Sequence, residues 1–395
     1  MKDLLRKYAC KLGAAGMADP SLVVMAGLDD EIAWNRPDPS AEVLEEVLSG
    51  LDVNSILFAR PAEPYWTMIS LLAEEAGDAI APTDCETRTF LHDIPVSPDF
   101  EARSIVERLK RRKSVVIPGR GVAAWGTVSP EQAFIFFSSV CFSCFVKFCT
   151  DYLDGARRGT LNSRWREAMR LAAGLLDPLP AAAPPLTSGP LSTEAGVRAA
   201  MAEAGLATVR LRLVDSFFGN ISFKLGGTLF ISQTTSSMDE LAGAIDACPL
   251  DGSACTSITA SSEYTAHVET LAATGADGIL HGHPKFSVIM SMDCLEPDCP
   301  DRGACHVRCG RPRTAGGVPV VPGEVGTGPT GLCNTLPSAF GGGRGAIVFG
   351  HGLFTLARGD FNGALQDMLD IETRCRQEFL EAVDCAGGST TDEGV

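Results

Sequence analysis

Residues 275–284 read GADGILHGHP, and residues 346–352 read AIVFGHG. The first stretch predicts a short buried strand from Gly278 to His283, stopped by Pro284. In a strand, residues i and i+2 point to the same side, so His281 and His283 project from one face. Gly282 between them leaves the opposite face free for close packing. The second stretch is another short apolar run, and it delivers His351 between two glycines, where the backbone can turn tightly and approach a neighbour closely. If the two strands are neighbours in a sheet, three imidazoles converge. Neutral His nitrogens suit Zn²⁺ best, with Co²⁺, Mn²⁺ or Fe²⁺ as alternatives, and three protein ligands leave one position for substrate or water. The chain has six histidines, His92, His267, His281, His283, His306 and His351, and half of them fall in this pattern. A lone buried His usually satisfies a core hydrogen bond; three in these two motifs argue for a metal.

Glu263 lies eighteen residues before His281, in TASSEYTAH. A carboxylate beside an open metal position can act as general acid or base. Ser261 and Ser262 precede it. Hydroxyls at a helix start either cap free N–H groups or, with those groups, form an anion site.

Working outward, the chain of 395 residues is long enough for two domains and a large core. Its formal charge is −16. An acidic surface argues against nucleic acid or an anionic membrane as the main partner, since both call for clustered Lys and Arg. The first residues, MKDLLRKYACKLG, carry charges at Lys2, Asp3, Arg6, Lys7 and Lys11, which predicts no signal peptide and a cytoplasmic protein. The most apolar run, AFIFFSSVCFSCFVKF at 133–148, reads as a buried helix too short to span a bilayer.

The segment DPLPAAAPPLTSGPLS, 177–192, is rich in Pro, Ala and Ser and reads as an extended linker. It divides a first domain, 1–176, from a second, 193–388, followed by a tail, 389–395. Internal similarity crosses that division. The stretch from Ala62, AEPYWTMISLLAEEAGDAIAPTD, aligns with the one from Ser261, SSEYTAHVETLAATGADGILHGH, as a helix followed by a strand. In that alignment Pro82 and Asp84 stand where the second copy has His281 and His283. The stretch from Val115, VVIPGRGVAAWG, aligns with AIVFGHGLFTLA from Ala346, with Arg120 facing His351. The expectation is a tandem duplication whose first copy has lost the metal ligands.

Taken together, these residues resemble the class II aldolase/adducin family, typified by fuculose- and rhamnulose-1-phosphate aldolases. The resemblance runs through GNIS at 219–222, ISQTTSSMDEL at 231–241, SSE at 261–263, HGHP at 281–284, GHG at 350–352 and a long last helix containing Glu372. It covers roughly 195–385, with a degenerate form over 1–175. It implies α/β/α domains around a mostly antiparallel sheet, here two in tandem. It implies His281, His283 and His351 as ligands of Zn²⁺ or a similar cation, Glu263 as acid/base, and Gly219, Asn220, Thr234, Ser261 and Ser262 as the lining of an anion pocket. Where the family has Ser/Thr-Gly in its phosphate loop, this chain has Thr234-Thr235, which counts against a phosphorylated substrate. The implied function is aldol cleavage of a small sugar, sugar phosphate or hydroxy-keto acid through a metal-stabilised enediolate. Epimerase or dehydratase chemistry of the same family, or non-catalytic adducin-like binding and assembly, are the alternatives. Family members form cyclic tetramers, so two fused domains predict a homodimer that mimics one.

The chain also has fourteen cysteines, of which Cys294, Cys299, Cys305 and Cys309 fall within sixteen residues, with His306 among them. Four thiolates at this density could hold a structural zinc or an iron–sulfur cluster. Cys141, Cys144 and Cys149 lie on the apolar run and read as core.

Overall fold

In the computed structural model the chain divides into two compact units, 1–176 and 177–395. The residues described are 1–388 without 216, 254–257, 297 and 325–326, with backbone alone at 386–388. The expected tail, 389–395, lies outside the described residues.

The first unit contains helices α1 (Lys2–Ala14), α2 (Ala41–Ser49), α3 (Tyr65–Ala76), α4 (Cys85–Leu91), α5 (Ala102–Leu109), α6 (Pro130–Arg158) and α7 (Ser163–Gly174). Its strands are β1 (Val24–Leu28), β2 (Ile32–Trp34), β3 (Ser55–Ala59), β4 (Ala79–Ile80), β5 (Ile94–Pro95), β6 (Ser114–Ile117) and β7 (Gly121–Gly126). Five form an antiparallel sheet in the order β2-β1-β3-β7-β6. Apolar faces of α2 and α5 pack on the sheet through Leu44, Val47, Ile105 and Leu109 against Val24, Ile56, Val115 and Ala123.

Helix α6 begins with Pro130 and ends at Gly159, whose φ of 67° is the left-handed stop that glycine supplies. It runs 29 residues, longer than the apolar stretch suggested and long enough by length and composition to cross a membrane. Burial decides its role, because 83% of its apolar window lies inside the protein. Cys141, Cys144 and Cys149 are buried in it, as expected of core thiols.

The second unit contains α8 (Glu194–Arg210), α9 (Tyr264–Thr274), α10 (Lys285–Met292), α11 (Leu332–Ala339) and α12 (Asn362–Gly388). Its strands are β8 (Asn220–Leu225), β9 (Thr228–Ser232), β10 (Ile245–Pro249), β11 (Gly278–Gly282), β12 (Arg313–Ala315), β13 (Val318–Val321), β14 (Gly345–Val348) and β15 (Gly352–Ala357). They form one sheet in the order β10-β9-β8-β11-β15-β14-β13-β12, antiparallel throughout but for the β13–β14 pair. Leu271, Leu336 and Phe340 of the α9–α11 layer pack on Ile279, Val348 and Phe354.

Within this sheet, β9-β8-β11-β15-β14 has the same order and pairing directions as β2-β1-β3-β7-β6 of the first unit. That order corrects one sequence alignment. The segment holding Ala79 and Ile80 is not in the main sheet; it pairs with Ile94–Pro95 as β4 with β5. The strand in the place of β11 is β3. By place in the strand order, Ser55-Ile-Leu-Phe-Ala-Arg-Pro61 lies where Gly278-Ile-Leu-His-Gly-His-Pro284 lies in the second unit, so Phe58 and Arg60, rather than Pro82 and Asp84, hold the positions that His281 and His283 hold there. The register agrees: Phe58 faces Ala123 and His281 faces Phe354, positions already matched by the Arg120–His351 alignment.

The Pro/Ala-rich segment 177–192 has neither helix nor strand. It is not a loose tether, however. Ala183 N donates to Gln366 Oε1 (2.9 Å), Leu186 N to Asn362 Oδ1 (2.8 Å) and Gly189 N to Asp360 Oδ2 (2.8 Å), which strap it to the start of α12.

Candidate metal centre

The three histidines meet. β11 and β15 are antiparallel neighbours, with Gly282 opposite Leu353 and His281 opposite Phe354, so His281, His283 and the residue just before β15 share one corner. Nε2 of His283 lies 3.0 Å from Nε2 of His281, and Nε2 of His351 lies 3.3 Å from it. His281, His283 and His351 are 1%, 3% and 3% exposed, and Glu263 is 6% exposed.

Glycines make this approach possible. A Cβ on Gly352 would sit 2.5 Å from Gly282 O, 2.7 Å from His281 Cε1 and 2.9 Å from His283 Cδ2. A Cβ on Gly282 would meet Leu213 O at 2.7 Å, which is the close packing its position predicted. Gly219 has φ 112°, and a Cβ there would lie 2.5 Å from His281 O. No other residue fits either requirement.

The rings are held from behind. Nδ1 of His281 donates to Leu353 O (3.1 Å), which puts its lone pair on Nε2, facing the other rings. Phe354 stacks on His281 with centroids 3.8 Å apart and planes 8° apart, and Phe218 stacks on His283 at 5.5 Å. Burial, only partly offset by Glu263, pushes His281 down to about 4. Burial and the two neighbouring rings push His283 well below the ordinary imidazole range. Neutral imidazoles with converging Nε2 atoms are the donor set that Zn²⁺ and related cations take, so the residues fit the group.

Glu263 completes the corner. It occupies the N-cap of α9 but makes no capping bond there; Ser261 Oγ instead accepts from Glu263 N (3.3 Å). Its carboxylate turns to the histidines, with Oε1 2.9 Å from His351 Nε2 and Oε2 3.6 Å from His281 Nε2. Asn220 Nδ2 donates to Oε2 at 2.7 Å. Burial alone would raise this carboxyl, but His281, His351 and Asn220 outweigh it and hold it well below the usual value.

The remaining residues implied by the resemblance are spread around this corner. Asn220 acts on Glu263, and its Oδ1 is buried without a partner. Gly219 supplies the close backbone approach described above. Ser262 and Thr234 are exposed. Thr235 has φ 61°, a left-handed backbone that is strained for a β-branched residue and easy for glycine. Sequence reasoning did not find Phe354, Phe218 or the Leu353 carbonyl. Period-two counting along AIVFGHGLF from the paired strand would have placed Phe354 beside His281. It also left His267 without a role. That ring is fully buried, with Nδ1 2.7 Å from Ser222 Oγ, and packs edge-on against Phe354. Glu372 is buried too, and accepts from Phe286 N (2.9 Å), Ser287 N (2.8 Å) and Ser287 Oγ (2.8 Å), capping α10 directly after His283-Pro284.

Cys294, Cys299, Cys305 and Cys309 are free and half-buried. Among the described residues, the three histidines are the group whose ligand atoms lie within 4.8 Å of one another; the four sulfurs are not gathered in that way.

Residues 199–379 match the family described as Class II Aldolase and Adducin N-terminal domain. Among solved structures, the chain is similar to L-fuculose-1-phosphate aldolase from Thermus thermophilus, at 21% identity over 50% of this chain and 99% of that one, with a TM-score of 0.39. A second L-fuculose 1-phosphate aldolase is 20% identical over 48% of this chain and 88% of its own, with a TM-score of 0.39. A sugar-phosphate aldolase from Thermotoga maritima is 16% identical over 48% and 95%, with a TM-score of 0.35. No curated protein matches the chain.

Proposed function

Residues 199–379 form a domain of the class II aldolase and adducin family, and from that premise we propose that this chain is a metal-dependent lyase that splits a carbon–carbon bond of a small, oxygen-rich substrate by aldol cleavage. One observation carries the reading: Glu263 is buried at a helix start, yet aims its carboxylate at the imidazoles of His351 and His281 instead of capping the helix. A structural Glu at that position would bond the free N–H groups beside it. A cation on His281, His283 and His351 supplies, when bound, Lewis-acid polarisation of the substrate's oxygens.

The chain's own residues do the rest. Glu263, kept ionised beside His281 and His351 and oriented by Asn220, takes the proton from the substrate and returns it at the carbon next to the carbonyl. The Leu353 carbonyl holds His281 in the tautomer that presents Nε2. Phe354 and Phe218 wall the rings from water. Thr235 puts a side chain where a phosphate would need bare backbone, which favours an unphosphorylated sugar or hydroxy-keto acid.

The first unit, in this reading, is a metal-free copy produced by tandem duplication. The shared strand order and the Phe58, Arg60 and Arg120 replacements support it. The proposed assembly is a homodimer, four such domains in all; a monomer by light scattering contradicts it.

The test is a panel of aldol donors, assayed for cleavage and for exchange of the proton α to the carbonyl. Wild type with its metal should cleave at least one donor, His283→Ala should neither hold the metal nor react, and Glu263→Gln should keep the metal while losing about 10²–10⁴-fold in rate. Exchange without cleavage favours an epimerase or dehydratase. A protein that binds metal but shows no exchange on any donor favours the adducin-like binding role.

A further inference from the structure

Between α10 and β12, residues 293–312 form neither helix nor strand among those described. Irregular segments of this length are uncommon in a compact domain unless something holds them. Its Leu295 does not pack inward, being 78% exposed. The two ends are nevertheless closed on each other. Arg313 Nη2 donates to Asp293 O at 2.5 Å, and Arg311 pairs with Glu296. Farther along, Arg308 pairs with Asp301 at 2.7 Å, and Cys305 Sγ lies 3.7 Å from Asp301 O. Cys294 and Cys309 flank the closed base, and Cys299 and Cys305 flank the second tie. All four thiols are free and half-buried.

We propose that Cys294, Cys299, Cys305 and Cys309 bind a structural Zn²⁺ that staples this segment beside the helix following His283. Four thiolates around Zn²⁺ make a closed tetrahedral site, with no position for substrate. The sulfurs are farther apart than the ligands of one ion, so uptake draws the two arms together and releases the thiol protons to solvent, and the free energy of binding orders the loop. This site is independent of the lyase reading, since it shares no ligand with the histidine centre.

Metal content of the full chain, loaded with Zn²⁺ and then dialysed, tests it. Wild type should hold two ions, His283→Ala one, Cys305→Ser one, and the double variant none. A mercurial thiol reagent should release the single ion of His283→Ala. Should Cys305→Ser fail to fold, Co²⁺ titrated into the His283→Ala protein should produce the intense near-ultraviolet thiolate-to-cobalt band, and its absence overturns the proposal. So does a Cys305→Ser protein with wild-type zinc content, or the finding of iron with acid-labile sulfide in the purified chain.

Discussion

The corner made by β3 and β7 and the corner made by β11 and β15 share a backbone and part company in their chemistry. In both, a Gly at the start of the second strand abuts a carbonyl at the end of the first. A Cβ on Gly121 would stand 2.5 Å from Ala59 O, and one on Gly352 would stand 2.5 Å from Gly282 O. In the second unit the positions around that contact carry His281, His283 and His351. In the first they carry Phe58, Arg60 and Arg120, with Arg60 lying over Trp66 at 5.1 Å and Arg120 over Phe100 at 4.6 Å. The same corner forms with arginines that cannot ligate a cation. The strand ladder and the glycine contact, not a metal, set its shape. The ion proposed for the second unit is therefore not needed to form its corner, the reverse of the role proposed for the cysteine site.

The sharpest way to break this comparison is to add one methyl group to each corner. Gly352→Ala forces a Cβ into His281 and His283, and should weaken metal binding by roughly 100-fold or more, on the scale seen when the support of a ligand is lost. Gly121→Ala meets the same carbonyl clash and should destabilise its unit by about 1–3 kcal/mol while leaving metal content unchanged. Isothermal titration with Zn²⁺ and urea unfolding read the two effects; equal loss of metal in both variants would undo the comparison.

A complementary change sharpens it. Replacing Phe58, Arg60 and Arg120 together by His should give the first unit one additional, weaker zinc, detected as a gain of one ion per chain. No gain would mean that the two corners are not equivalent in side-chain direction.

The helices that leave the two corners are held differently. In α3 the exposed, local Glu63 accepts from Thr67 N at 3.1 Å, whereas α10 is capped by the buried, distant Glu372. Burial outweighs those hydrogen bonds and pushes Glu372 from 4.5 up to about 7. A carboxyl raised by folding contributes stability that is full below about pH 4.5 and is lost as pH rises through about 7. Wild type should therefore lose up to about 3 kcal/mol relative to Glu372→Gln over that interval. A difference in urea midpoint that stays flat with pH contradicts this.

The smallest effect concerns Thr235. Thr235→Gly removes a strained left-handed residue and should raise stability by up to about 1 kcal/mol, seen as a higher Tm. A lower Tm would mean the threonine side chain makes a compensating contact.

Much of the site could be read from the sequence because strand periodicity is local. His281 and His283 share a face through Gly282, and the glycines around His351 announce a close approach. The GRG and GHG segments hold the same place in the two strand orders. The segments of the first repeat block do not. The helix and Asp-Ala-Ile of 65–80 resemble the helix and Asp-Gly-Ile of 264–279, and only strand pairing reveals that SILFARP is the counterpart of GILHGHP. Long-range contacts were hidden as well. The Asn220–Glu263 bond spans 43 residues, the Glu372 cap spans about 85, and the strap of 177–192 is tied to side chains some 176 residues away. No periodicity records such partners.

The most direct measurement is anomalous scattering from crystals of the zinc-loaded protein, collected on either side of the zinc edge. A peak bonded to Nε2 of His281, His283 and His351, with Glu263 facing it and no such peak near Phe58, Arg60 and Arg120, is the predicted result. A loaded crystal with only water among the three rings, and the imidazoles turned apart, would contradict it.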